Sequence, residues 1–313
     1  MRTGVPALAL TGVMALASGL ASCTSGPGTL LESKAATSAV IEGAQCASGN
    51  RAYFGDTHLH TALSPDAGLA GTKLGLDEAY RFARGETVTS NSGQQAALKR
   101  PLDFLVVADH AENLGLAQGL ADSDPELLKS SLGQQLNELL KAGKGREAFY
   151  LLVQKMAKGP EAKISNETFM RNVWKHNTEA AERYNDPGKF TALIGYEWTS
   201  QPGGGNLHRV VVFRDNKALA DQILPFSNFD SEDVEDLWAF MNFYEEKTGG
   251  RVLAIPHNGN LSSGTMFLPS HQKTGKAIDA DYARMRHRFE PLVEVTQAKG
   301  TSETHPLLSP EDE

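Results

Sequence analysis

Cysteine is scarce in this chain. There are two in 313 residues, Cys23 and Cys46. Two cysteines cannot build the disulfide framework of a small exported domain, so stability has to come from a buried core. The length and the 40% hydrophobic content allow one. Positive charge is also short: 30 Lys and Arg stand against 38 Asp and Glu, a net charge of −8. Bulk charge of that sign does not attract nucleic acid or an anionic membrane, and no basic cluster offsets it locally. Internal repeats are absent, and so is any long apolar run that would span a bilayer. The apolar stretch from Val5 to Leu20 is too short and too rich in small residues for that.

That stretch reads instead as the core of a secretory signal. It runs into "LASC", Leu20 to Cys23, which resembles a bacterial lipobox. The resemblance implies a signal peptide over 1–22, cleavage before Cys23, and lipid on that cysteine. The expected location is the bacterial cell envelope, with a lipid anchor in the membrane facing the periplasm. An ordinary signal peptide with a chance cysteine is the alternative. Cys46 then has no partner and no assigned role. Residues 23–48 are small, polar and aperiodic, as a tether would be. The folded domain is expected over 49–313.

Within it, short apolar runs alternate with longer segments. The runs fall at 52–58, 102–110, 190–198, 207–214, 250–258 and 291–297. Several are apolar throughout rather than alternating, which suggests strands covered on both faces, as in a parallel sheet flanked by helices. Helical patterns lie between them at 74–86, 124–143, 165–185 and 231–250, with Ser165 or Asn166 as an N-cap and a Gly-Gly stop at the end of the last. Strand–helix alternation implies an α/β fold. The stretch 113–187 is long for a crossover and reads as a helical insertion, either a lid over a site or packing outside the sheet.

The ends of the runs carry the chemistry. The first ends in Asp56, His58 and His60, with Asp66 soon after; the second ends in Asp109 and His110, the third in Glu197 and the fifth in His257, while His208 opens the fourth. Ligands bind at the carboxyl ends of parallel strands in sheets and barrels alike. In a strand, His58 and His60 share a face about 6.6–6.8 Å apart, within reach of one metal ion. Asp56 and Asp109 are placed to orient the ligands from behind. Each residue alone has an ordinary explanation. Asp66 follows Ser-Pro and suits a turn, Asp109-His110 suits a helix cap, His208 a core position, and His257 a loop. Glu197, between Tyr196 and Trp198, would be costly to bury unpaired. His176 lies in an amphipathic helical pattern, His271, His287 and His305 lie in polar surroundings, and all four read as surface residues. Taken together, His58, His60, Asp66, His110, Glu197, His208 and His257 make a cysteine-free set suited to Zn, Mn or Fe. Seven ligands with one bridging carboxylate imply two or three divalent ions. Such a centre holds a hydroxide for hydrolysis, most naturally at phosphorus, and no single side chain is needed as the catalyst. Asn206, Arg209, Asn258 and Asn260 flank the ligands and are candidate substrate contacts, with Asp109 and Arg209 in support; turn chemistry also explains the asparagines.

The stretches "FGDTHLHTALSPDA", "RPLDFLVVADHAENLG", "IGYEWTS", "GGGNLHRVVVFR", "IPHNGNLSSGTMF" and "EPLVEVTQAKGTSETHPLLSPEDE" resemble the polymerase-and-histidinol-phosphatase (PHP) superfamily, and more closely its relative, domain of unknown function 3604. The resemblance implies a distorted seven-stranded (β/α) barrel holding up to three metals at the carboxyl ends of its strands. Its ligand motifs fall on the same seven residues. It departs in one respect, because no Asp-x-His closes the site after Glu294 and only six apolar runs are present. The expectation is therefore an amino-terminal fragment of a metal-dependent hydrolase of the phosphoesterase kind, acting on a small-molecule or phosphoester substrate, with no nucleic acid partner. The alternative is a lipoprotein that binds metal or ligand without turnover.

Overall fold

Five strands form one sheet: β1 Gly55–Leu59, β2 Phe104–Val107, β3 Thr191–Trp198, β4 Arg209–Phe213 and β5 Val252–Pro256. The computed structural model describes residues 51–156 and 162–303. The signal, the lipobox, the tether and His305 lie outside the described residues. Strand order in space is strand order in the chain, and the sheet curls as a half barrel. The first three strands are parallel to one another, but β4 runs antiparallel to both β3 and β5. That corrects the expectation of a wholly parallel sheet. It also explains why the candidate histidine of the fourth run precedes its strand. The amino end of an antiparallel strand lies on the same rim as the carboxyl ends of its neighbours.

The apolar runs are continuous because both faces are buried. Leu105, Val107, Ile194, Tyr196, Val211 and Phe213 point into a large core with Trp174, Trp238 and Tyr244 from the helices. Their neighbours Val106, Ala108, Val210, Val212 and Ile255 form a second, smaller cluster. Strand alternation thus sorts one apolar sequence into two cores. Strands pack closely at Gly195, where a Cβ would come within 2.4 Å of Val106 Cγ1 and 2.8 Å of the Val211 carbonyl oxygen.

The mixed α/β fold includes nine α-helices among the described residues. The segment expected as an insertion is helical, with α1 Leu116–Ala121, α2 Ser131–Lys141, α3 Gly145–Met156 and α4 Glu167–Tyr184. The single helix expected over 124–143 is broken, because Ser130 caps a new start by accepting from the Gly133 amide. Leucines of α1–α3, with Ala148 and Phe169, close a satellite core. Asn166 is the N-cap of α4, accepting from the Phe169 amide, and Trp174 of that helix enters the main core. Its last helix packs on the sheet through Met170 and Trp174. Its residues Lys163 and Ser165 line a cavity with Ala111 and Asn113 that includes none of the candidate ligands.

Helix α5, Val234–Thr248, begins at an Asp233 cap and stops at left-handed Gly249. Helix α6, Ala280–Phe289, buries only Tyr282 and Phe289, too few to write a helical apolar stripe into the sequence. The sixth apolar run does not join the sheet. One bond, from the Glu294 amide to the Pro256 carbonyl at 3.0 Å, ties it to β5. Leu292, Val293 and Val295 are exposed, so there is no burial to hold a full ladder. Only Thr296–Gln297 pairs, with Gly300–Thr301, as a small hairpin. No helix among the described residues is long and apolar enough to cross a membrane.

Candidate metal centre

One rim of the sheet gathers the candidate ligands. His58 lies in β1 and His60 just past it; His110 follows β2, Glu197 lies in β3, His208 precedes β4 and His257 follows β5. A parallel bridge pairs His110 with Glu197 directly. Asp66 comes from the short helix Pro65–Leu69, where Ser64 and the Ala67 amide each donate to its Oδ1 at 2.6 Å.

Glu197 is the hub. It is 0% exposed, and its two oxygens face different histidines. Oε2 lies 3.0 Å from His58 Nε2 and 2.9 Å from His60 Nε2. Oε1 lies 2.8 Å from His208 Nδ1, 3.2 Å from His257 Nε2 and 3.4 Å from His110 Nδ1. Asp66 stands beside this set, 3.3 Å from His60 Nδ1 and 3.4 Å from His110 Nε2. Three groups of ligand atoms can each hold an ion: His58, His60 and Glu197; His60, Asp66 and His110; and Glu197, His208 and His257, with all atoms of a group within 4.8 Å.

Unsatisfied nitrogen is the second mark of a metal site. His257 is buried, and neither ring nitrogen makes a hydrogen bond; His208 Nδ1 makes none either, despite its short approach to Glu197. A buried polar atom without a partner is costly, and a divalent ion removes the cost by taking the lone pair. The donors are imidazole and carboxylate with no thiolate, which fits Zn, Mn or Fe.

Charge at the site is arranged around the same carboxylate. Burial pushes Glu197 up, but His110, His257 and His208 more than reverse this and hold it well below the usual carboxylate range. Burial pulls His58 and His60 down, yet bonds to Glu197 with Glu294 or Asp66 raise them to about 9 and about 10. His257, dominated by burial, falls to about 4. Metal requires neutral imidazole, so its entry at neutral pH expels protons from His58 and His60. In the metal-free protein, these two raised groups contribute stability that is full below their ordinary value of 6.5. It is lost as pH rises through about 9 to 10. The gain in Tm on adding metal should therefore widen between pH 7 and pH 10. Paired thermal melts with and without metal test this, and a gap that narrows with pH counts against it.

Other sequence candidates stand in different places. Asp56 is exposed and accepts the His58 amide at 2.8 Å, so it shapes the end of β1 and does not touch the imidazole. Asp109 is fully buried and takes both the Thr61 amide and the Thr61 hydroxyl, which fixes the chain next to His60. Arg209 is not a solvent-facing contact. Its side chain is 1% exposed and bonds Glu290 Oε1 at 2.9 Å and the Leu207 carbonyl at 2.8 Å. Asn260 is exposed and donates to the Lys299 carbonyl. Asn206 is half-buried, with its backbone amide on the Leu261 carbonyl. Asn258 is buried in left-handed backbone, and both of its amide atoms lack partners. His176 and His287 are exposed, whereas His271 is half-buried against Glu235.

Three residues were missed. Glu294 Oε2 lies 2.8 Å from His58 Nδ1, on the far side of the ring from Glu197. Its signal was an acid alone in an apolar run, the same signal that marks Glu197. Thr199 bonds His110 Nδ1 and lies 3.2 Å from Glu197 Oε1. Glu112, pushed up to about 7 by burial, accepts the Thr199 amide.

A family model described as "Protein of unknown function (DUF3604)" matches residues 47–313. No curated protein and no solved structure matches the chain.

Proposed function

The chain belongs to the DUF3604 family, and from the geometry of its rim we propose that it is a metal-dependent hydrolase acting on phosphoesters. One observation carries the reading: a fully buried carboxylate divides five histidines between its two oxygens. That is the arrangement of a bridging ligand between two ions, with the Asp66 group as a third position. Bound ions would supply Lewis acidity and an activated water at neutral pH.

The remaining work belongs to the chain. Glu197 and the histidines would hold the ions. Glu294 orients His58 through Nδ1, leaving Nε2 for the centre, and Thr199 does the same for His110. Asp109 pins the segment that carries His60. Asn258, next to His257, has a buried amide without a partner, which supports a role in the site once its loop opens to substrate. Phosphoryl oxygen is the favoured target because such centres neutralise charge on both the entering and leaving oxygens. The proposal includes kinship with the PHP superfamily and its metal-binding barrel, supported by the convergence of strand ends on one rim. It also includes export and a lipid anchor at Cys23, supported by the apolar Val5–Leu20 stretch and "LASC".

The test joins metal analysis to turnover. The purified chain should hold two or three divalent ions and cleave a chromogenic phosphoester. His58→Ala and His257→Ala should each lose bound metal and turnover together, by at least about 100-fold in affinity. Full occupancy without cleavage of any ester would sink the hydrolase and leave a metal-binding protein.

A further inference from the structure

Residues 111–113 hold the two walls of a cavity of about 210 Å³. Asn113 is 1% exposed and sits in left-handed backbone at φ 57°, a conformation asparagine tolerates better than most residues. Its side-chain oxygen accepts the Ile164 amide at 2.8 Å and the Ser165 amide at 3.3 Å, and its nitrogen donates to the Ala162 carbonyl at 2.9 Å. That fixes the wall carrying Lys163 and Ser165. Glu112 accepts the Asn228 amide at 2.8 Å, and Asp230 accepts the Ser227 amide at 2.9 Å and its hydroxyl at 2.8 Å. That fixes the opposite wall. Met170, Leu224, Pro225 and Phe229 supply apolar lining between them. A cavity with walls fastened this way is pre-formed, and little ordering is left for a ligand to impose.

The polar groups left unspent define the ligand. Ser165 is 2% exposed and its hydroxyl has no partner. Lys163 forms no ion pair among the described residues. Glu167, which also lines the space, is taken by Arg171 at 2.7 Å, whereas Asp230 holds only the neutral donors of Ser227. A cation and a carboxylate thus line one cavity without pairing with each other. We propose that the cavity binds a small zwitterion with an apolar body, an α-amino acid, its carboxylate taken by Lys163 and Ser165 and its ammonium by Asp230. Opposite charges on the two walls would select a ligand carrying both, and burial of an aliphatic side chain against Met170 and Pro225 would add the remaining affinity. The volume is below the about 300–1,000 Å³ of sites for drug-sized ligands, so the ligand is small. No candidate metal ligand lines the cavity, so the site stands whether or not the metal centre cleaves phosphoesters.

L-Leucine is the probe, titrated by calorimetry into the metal-loaded full chain. Leucine should bind, while 4-methylpentanoate and 3-methylbutylamine, each keeping one of its two charges, should bind at least about tenfold more weakly, since a charge-assisted contact is lost. Lys163→Met and Asp230→Asn should each weaken leucine binding by about tenfold or more. Both residues are exposed, so both variants should melt as the unmodified protein does, and Asn still accepts from Ser227. Unchanged leucine affinity in either variant overturns the assignment, and it is the result expected if leucine were held by a metal ion instead. Binding of 4-methylpentanoate as tight as that of leucine overturns it in favour of a plain anion site. Failure of the unmodified protein to bind leucine overturns it as well.

Discussion

Glu197→Gln should empty the metal centre. The side chain keeps its size, so packing against Tyr196 and Trp198 is preserved while the bridging charge is lost. An amide offers one neutral oxygen where two anionic ones now face His58, His60, His110, His208 and His257. Even partners that only orient a ligand cost about 10–100-fold in metal affinity when removed, so a shared ligand should cost at least the upper figure. Bound metal measured by mass spectrometry should fall from two or three ions per chain to one or none, and turnover should fall with it. The metal-free variant carries a second signature. Glu197 raises both His58 and His60, so without it their titration midpoints should drop, which NMR of the imidazole protons would report. Full stoichiometry in Glu197→Gln would mean that the carboxylate does not bridge, and the reading of the centre would fail.

The second large effect is on stability. Arg209→Ala removes the nearest cation from Glu290, whose side chain is 1% exposed; Trp238 Nε1 at 3.0 Å remains, with Arg286 Nε at 3.7 Å from the other oxygen. Breaking a buried pair from one side costs about 3–5 kcal/mol. At about 2–4 °C per kcal/mol for a domain of this size, Tm should fall on the order of 10 °C. Replacing both partners, as Arg209→Met with Glu290→Gln, should recover much of that loss, because Gln still accepts from Trp238 and no charge remains buried. The pair joins β4 to the end of α6, four residues ahead of Glu294. Loosening it should therefore also relax the Glu294–His58 bond. If Arg209 touched substrate, the variant would instead melt normally and show a raised KM.

Much of the candidate centre was legible because ligand-type residues recur at the ends of successive apolar runs. Glu197 sits between two aromatic residues in a buried strand, where an unpaired carboxylate would be expensive. His58 and His60 share a strand face. Arg209 shows the opposite case. On a loop-flanking position next to His208 it resembles a substrate contact, yet its partner lies 81 residues away on a helix whose surface gave no pattern. Asp56 was misread for a local reason: its carboxylate found the nearest backbone amide before any ring. Glu294 is an acid alone in an apolar run, as Glu197 is, but its partner His58 lies 236 residues away.

By itself, the sequence determined the α/β class, the apolar strands and which residues are chemically able to hold a metal. Those properties follow from side-chain type and local periodicity, which a chain carries with it wherever it folds. Only the tertiary structure decided that β4 runs backward, that Glu197 is shared, that Arg209 is spent on Glu290, and that Glu294 comes back to His58. Each of these joins residues far apart in the chain. Which partner wins depends on burial and hydrogen bonding across the whole fold, and no local spacing encodes it.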